Sequence, residues 1–258
     1  MVSQPCEPAQ NVWAVGVGGT ILKWNGTTWT AQASGTTQWL SGIWGNDASN
    51  VWAVGQNGTI LKWNGTTWTA QASSTTQRLH GIWGTDANNV WIVGEGGSIL
   101  KWNGATWTAQ ASGTTNYLSG IWGTDANNVW AVGQNGTILK WNGTAWAAQM
   151  SGTTLWLYSI GGSDVKNVWA VGLGATLLKW NGTTWAPQAS GTTNLLNAFT
   201  GIWGSDAKSV WIVGSNGTLL KWNGTAWAAQ ASGTQQELYG IWGSDTNNVW
   251  AAGMGARS

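Results

Sequence analysis

The chain has 258 residues and a formal net charge of +1, and only 7% of its residues are charged, against roughly 25% in an average soluble domain. No basic stripe exists for a nucleic acid to follow, and no apolar run approaches the roughly 18 residues of a membrane-spanning helix, so neither nucleic-acid binding nor membrane insertion is expected. The 39 Gly and 26 Trp point instead to many short strands joined by tight turns around large apolar side chains.

The opening MVSQPCEPAQ lacks the apolar core of a secretory signal and reads as a disordered terminal segment, 1–10. Cys6 is the only cysteine, so no internal disulfide can form. A single domain is expected over 11–253, with a tail over 254–258. Its first elements are VWAVG at 12–16, ILKW at 21–24 and TWTAQ at 28–32. These short runs of Val, Ile, Thr and Trp, bounded by Gly and Asn, have the pattern of strands. The first complete period, LSGIWGNDASNVWAVGQNGTILKWNGTTWTAQAS, runs from Leu40 to Ser73 and carries four such runs: GIWG, VWAVG, TILKW and TWTAQ. The tryptophan of the second run recurs at Trp13, Trp52, Trp91, Trp130, Trp169, Trp211 and Trp250. The spacing is 39 residues except from Trp169 to Trp211, where it is 42, the extra residues lying around 195–197.

Four strands in about 39 residues match a β-propeller blade. The runs count as six of the first kind, seven of the second, six of the third and six of the fourth. The expected fold is therefore all-β: a six-bladed β-propeller of four-stranded antiparallel blades, its ring closed by the N- and C-terminal strands. The closing blade would combine 239–253 with 11–34, leaving either 12–16 or 249–253 redundant and opening a route to oligomers by terminal strand exchange. Asn-Gly suits a type I′ turn. A two-residue turn at Asn25-Gly26 pairs Trp24 with Thr27, Lys23 with Thr28 and Leu22 with Trp29. Such a hairpin is apolar on both faces and must be covered on both by neighbouring repeats.

KWNGTTW, Lys23 to Trp29, resembles a shortened Asp-box (BNR) hairpin of bacterial propellers, with Asn25 in the Asp position and Gly26, Thr28 and Trp29 matching the motif's end. That resemblance implies a structural hairpin away from the functional face. Some Asp-box propellers are sialidases that grip a carboxylate with three arginines. Only Arg78 and Arg257 exist here, so that activity is not expected. Few charges and several Trp per repeat make the chain similar in style to small propeller lectins, an analogy of architecture, and a secreted or cell-surface bacterial location is expected on the same basis.

Catalytic and metal-binding groups are scarce. His80 is the only histidine and aligns with Ser41 and Ser119 of other repeats, which marks an incidental substitution. No His/Cys cluster suits zinc and no Ser/His/Asp set recurs. No enzyme activity, cofactor or metal is expected. Asp47, Asp86, Asp125, Asp164, Asp206 and Asp245 follow the first strand and read as turn-capping groups rather than a Ca²⁺ ring. Lys23, Lys62, Lys101, Lys140, Lys179 and Lys221 recur in the third strand and are expected to lay their stems between blades, with the amine on a carbonyl or an Asp. The recurring Asn-Gly-Thr triplets are acceptor sequences for N-glycans, but their turn role suffices.

Repeats this alike allow one to be compared with the next, and variation falls at two places. One is the loop after the second strand, with Val17, Gln56, Glu95, Gln134, Leu173, Ser215 and Met254. The other is the residue entering the first strand: Trp39, Arg78, Tyr117, Trp156, Ala198 and Glu237. In an up-and-down blade both lie on one side. Loops on a rigid scaffold commonly bind ligands, and Trp, Tyr, Arg and Glu are apt contacts. The candidate ligand-binding residues are Trp39, Arg78, Tyr117, Trp156, Glu237, Gln56, Glu95, Gln134 and Ser215. The expected function is a non-enzymatic, multivalent binding module taking carbohydrate in the manner of a lectin. The alternatives are a protein-interaction scaffold on the same face, or a repeat segment of a surface protein. Gly161 replaces the first-strand Trp of Trp44, Trp83, Trp122, Trp203 and Trp242; either a pocket of indole size or an infolded Trp156 is expected there.

Overall fold

A computed structural model of the chain describes residues 3–5, 12–191, 198–246 and 248–253. The chain divides into two compact units, 1–121 and 122–258. In the first unit, the opening sheet has β1 (Ser3–Pro5), β2 (Val12–Val15), β3 (Ile21–Trp24) and β4 (Trp29–Gln32). The next has β5 (Leu40–Asp47), β6 (Asn50–Gly55), β7 (Ile60–Trp63) and β8 (Trp68–Gln71), and the third has β9 (Leu79–Asp86), β10 (Asn89–Gly94), β11 (Ile99–Trp102) and β12 (Trp107–Gln110). The unit boundary falls inside β13 (Leu118–Asp125), which begins a sheet with β14 (Asn128–Gly133), β15 (Ile138–Trp141) and β16 (Trp146–Gln149). Two further four-stranded sheets follow: β17 (Leu157–Asp164) to β20 (Trp185–Pro187), through β18 (Asn167–Gly172) and β19 (Leu177–Trp180); then β21 (Phe199–Asp206) to β24 (Trp227–Ala229), through β22 (Ser209–Gly214) and β23 (Leu219–Trp222). The last sheet pairs β25 (Leu238–Asp245) with β26 (Asn248–Gly253). Strands in every sheet pair in sequence order.

This architecture alters the expected closure. Among the described residues, six four-stranded sheets and a two-stranded seventh stand in place of six blades with a composite one. β3 pairs with β2, and the other edge of β2 pairs with Ser3–Pro5, so that Gln4 faces Trp13. An unpaired edge takes whatever backbone is nearest, and here residues 3–5 of the supposedly disordered terminus supply it. The rest of that terminus, including Cys6, and the tail from residue 254 lie outside the described residues.

The hairpins also differ from expectation. Trp24 pairs with Trp29, Lys23 with Thr30 and Leu22 with Ala31, so the loop has four residues rather than two. The Asn25 side-chain oxygen accepts the backbone N–H groups of Thr27 and Thr28, both at 2.9 Å. Asn25 therefore works as a side-chain cap to the loop, and Gly26 alone takes positive φ. The type I′ geometry belongs to the other Asn-Gly, between second and third strands. Asn57 and Gly58 lie at φ 52° and 65°, closed by the Thr59 N–H donating to the Gln56 carbonyl at 3.0 Å.

The core lies between successive sheets. Trp13 is buried with Val15, Ile21, Leu40, Ile43, Val51, Leu61, Trp63 and Trp68 in one cluster. Its ring stands edge-on to Trp68 at 5.3 Å and 89°, a favoured aromatic geometry. In the second unit Trp169 packs on Trp222 and Trp227 at 5.1 and 5.2 Å. The lysines differ from the sequence reading: their amines lie over indole faces. Lys62 Nζ is 4.8 Å from the Trp52 ring and 5.2 Å from Trp102, and Lys179 sits likewise between Trp169 and Trp222. An ammonium with its stem along apolar surface keeps its charge solvated on one side and meets the ring quadrupole on the other.

The Asp residues behave as turn caps. Asp47 Oδ1 accepts the Ser49 and Asn50 N–H groups at 2.8 Å, and its carboxylate also holds the Asn50 amide. Gly161 opens no pocket. A Cβ there would stand 3.0 Å from the Ile202 carbonyl oxygen, so β21 closes in where an indole would have held it off. The Trp156 ring lies 5.8 Å from Tyr158.

Candidate functional site

Four of the variable residues that enter a first strand meet the variable turn residue of their own sheet. Gln56 N–H donates to the Trp39 carbonyl and Glu95 N–H to the Arg78 carbonyl, both at 2.9 Å. Leu173 and Ser215 do the same to Trp156 and Ala198 at 2.9 and 3.0 Å. The side chains return the contact: Gln56 Oε1 accepts the Trp39 N–H, and Glu95 Oε2 the Arg78 N–H, at 3.4 Å. These bonds continue the ladder one step past the bulge at each first-strand start. They fix the two variable loops together at one end of the sheet.

In the first unit these positions converge. The Arg78 guanidinium carbon lies 4.7 Å above the Trp39 ring. Its Nε and Nη2 donate to Ser41 Oγ at 3.3 and 3.2 Å. Stacking on an indole and sharing one hydroxyl uses only part of a guanidinium's five-donor fork. Trp39 itself is 43% exposed. Next to this pair, His80 Nδ1 donates to the Ser119 carbonyl at 2.8 Å, and the imidazole meets Tyr117 edge-on at 5.6 Å. Burial holds the His80 pKa below its ordinary value, with the Arg78 charge adding to the effect and the Ser119 bond and Glu95 opposing it. The ring is neutral at pH 7 and ties β9 to the start of β13. The Tyr117 phenol is pushed up to about 12, chiefly by burial, with the Arg78 charge opposing the shift and Glu95 adding to it.

The second unit gathers less. Trp156 stacks on Tyr158, and the Tyr239 hydroxyl donates to Glu237 Oε2, which raises the Tyr239 pKa. Gln134 and Ser215 begin their turns without joining a comparable group of charged and aromatic side chains among the described residues. The site is thus Trp39, Gln56, Arg78, Glu95 and Tyr117, with Ser41 and His80 as residues that sequence reasoning passed over. Their signal was present: His80 and Arg78 occur in the same repeat, each without a counterpart of its type in the others. Among the described residues no group of three or more His, Cys, Asp or Glu is placed to hold a metal.

Antiparallel four-stranded sheets, repeated in sequence order and packed through their faces, define the β-propeller class, and solved structures agree. The chain is similar to YCF48 bound to D1 peptide, with 17% identity over 96% of this chain and 86% of that one and a TM-score of 0.78. It is similar to the β-propeller domain of Myceliophteria thermophila Cps50 (Swd1), with 9% identity, 93% and 89% coverage and a TM-score of 0.73. The C-terminal WD40 domain of Sif2 matches at 14% identity, 93% and 74% coverage and a TM-score of 0.68. At such identities the likeness is one of fold. No known family profile matches the chain and no curated protein matches it in sequence.

Proposed function

We propose that this chain is a non-enzymatic protein-interaction module that takes an extended peptide on the Trp39–Arg78 face of its first unit. The observation that carries this reading is the Arg78 guanidinium, stacked on an exposed indole and hydrogen-bonded, among the described residues, to a serine hydroxyl. Arg and Trp are the side chains most often found at the energetic centre of protein interfaces. The free part of the guanidinium fork suits a peptide carboxylate or carbonyl. One similar structure contains a bound peptide, which supports the same reading. A carbohydrate module with equal sites draws no such support, because the Arg–Trp pair joins two neighbouring sheets and the corresponding residues elsewhere differ in kind.

The test is capture on an array of random-sequence peptides, followed by fluorescence polarisation with the best labelled peptide. Arg78→Gln and Trp39→Ala are each expected to weaken binding about tenfold, a change of about 1.4 kcal/mol. Affinity unchanged in both variants would remove this face from the account. A blank peptide array together with saturable, sugar-competed binding on a glycan array would transfer the function to carbohydrate.

A further inference from the structure

Asn-Gly occurs in two settings that the hydrogen bonds set apart. The loops joining third and fourth strands carry it at Asn25, Asn64, Asn103, Asn142, Asn181 and Asn223, all six exposed. The turns joining second and third strands carry it at Asn57, Asn135 and Asn216. Asparagine before glycine is open to a reaction of its own. The glycine nitrogen can attack the side-chain amide carbon, because glycine has no side chain to stand in the way.

In the loops the amide oxygen is crowded with donors. Asn64 Oδ1 accepts the Thr66 and Thr67 N–H groups at 3.0 and 2.9 Å and the Thr66 hydroxyl at 2.8 Å. Asn25, Asn142, Asn181 and Asn223 accept the same three donors from their own loops. Bonding to N–H groups beyond Gly65 folds the Asn64 amide over the Gly65 peptide, and among the described residues no acceptor holds the Gly65 N–H. Donors aimed at an oxygen that gains negative charge in a tetrahedral intermediate stabilise that intermediate. Asn103 supplies a contrast within the chain. Ala105 stands in the Thr place there, so Asn103 Oδ1 accepts the Ala105 and Thr106 N–H groups at 3.0 and 2.9 Å without a hydroxyl. The turns are built the other way. Gly58 and Gly217 donate their N–H groups to the Gln77 and Gln236 carbonyls at 2.9 and 2.8 Å, which ties up the nucleophile. The Asn57 amide nitrogen is also held, donating to Gln38 Oε1 at 2.9 Å.

We propose that the loops joining third and fourth strands are sites of self-catalysed deamidation. The Gly65 nitrogen gives its proton to a solvent base and bonds to Asn64 Cγ, while negative charge gathers on Oδ1 under its three donors. The Cγ–Nδ2 bond then breaks, and the nitrogen leaves as ammonia with a proton from water. Water opens the five-membered succinimide that remains. Opening at Cγ leaves Asp; opening at the main-chain carbonyl leaves isoaspartate, with the backbone routed through the side chain. Either product adds a negative charge, so a second event takes the net charge of +1 below zero. Isoaspartate also removes the side-chain cap of its loop. The proposal is independent of the peptide face, which uses other residues.

The experiment incubates the folded full chain in mildly alkaline buffer beside the same chain in denaturant, and timed samples are digested with trypsin. Cleavage after Lys23, Lys62, Lys101, Lys140, Lys179 and Lys221 leaves each loop Asn second in its own peptide, where mass spectrometry resolves Asn, Asp and isoaspartate. Asn25, Asn64, Asn142, Asn181 and Asn223 should react faster in the folded chain than in denaturant. They should also react about fivefold faster than Asn103, the worth of one net hydrogen bond. Asn57 and Asn216 should react more slowly folded than denatured. Ala105→Thr should bring Asn103 up to the other loops, and Thr66→Ala should bring Asn64 down to Asn103; circular dichroism checks that both variants fold. Loop asparagines that react more slowly folded than denatured would overturn the proposal, as would equal rates at Asn57 and Asn64 in the folded chain. So would an Asn103 rate that matches the other loops or ignores Ala105→Thr.

Discussion

Gly58→Ala tests the reading of the second-to-third-strand turn most sharply. Gly58 has a φ of +65°, where an added Cβ costs about 1–2 kcal/mol, and that Cβ would lie 1.9 Å from the Thr75 carbonyl oxygen. The loop bearing Thr75 must move away, which puts at risk the Gly58 N–H bond to the Gln77 carbonyl at 2.9 Å, worth about 1 kcal/mol. Loss of glycine's freedom in the unfolded chain returns about 0.4–1 kcal/mol. The expected net destabilisation is about 2 kcal/mol. The fifth repeat provides the reciprocal test: Ala175 occupies the same turn position at φ +54°, and its facing residues from 192 lie outside those described. Ala175→Gly should stabilise by about 0.5–1 kcal/mol, the relieved strain less the entropy of the new glycine. Guanidinium unfolding followed by tryptophan fluorescence and circular dichroism measures both. An unchanged midpoint for Gly58→Ala, or a lower one for Ala175→Gly, would refute the argument that positive φ and the facing carbonyl select glycine here.

Three further outcomes are expected. Gly161→Trp restores the residue common to the other repeats, yet it should destabilise by about 1–3 kcal/mol through overpacking, because β21 occupies the space; a raised unfolding midpoint would show room for an indole. Lys62→Met keeps the stem but removes the ammonium from between Trp52 and Trp102, and should cost about 1–2 kcal/mol; a more stable variant would show that desolvation of the ammonium outweighs its attraction to the rings. The carboxyls of Asp47, Asp86, Asp125 and Asp164 are affected first by burial, which raises their pKa, but hydrogen bonds from their own turns more than offset this and hold them below the ordinary value. A depressed folded pKa contributes stability present above the unfolded value of about 3.9 and lost as pH falls through the folded one. Unfolding midpoints should therefore decline below about pH 4, and Asp86→Asn should flatten that decline; an unaltered acid slope would dissociate the turn from acid sensitivity.

The repeat and its four strands were legible because period-2 apolar runs and turn residues are local signals. The same holds for the Asp caps, whose donors lie two and three residues away. The hairpin register was not legible. Asn-Gly alone suits a two-residue turn, but the Asn25 side chain bonding to Thr27 and Thr28 lengthens the loop and pairs Trp24 with Trp29. The lysines were misplaced for a related reason: whether an amine meets a carboxylate or an indole depends on which faces the next sheet brings to it. The variable positions could be named from the sequence. That Trp39 and Arg78 stack beside Ser41, and Tyr117 meets His80, depends on packing between sheets.

What the sequence alone determined was the unit: four short strands, their order and the places where they turn, all set by interactions within a few residues. Tertiary structure decided where those units meet. It gave β2 the partner Ser3–Pro5, moved β21 against Gly161 and stacked Arg78 on Trp39. Each outcome turns on contacts between residues far apart in the chain, and near-identical repeats cannot encode which copy faces which.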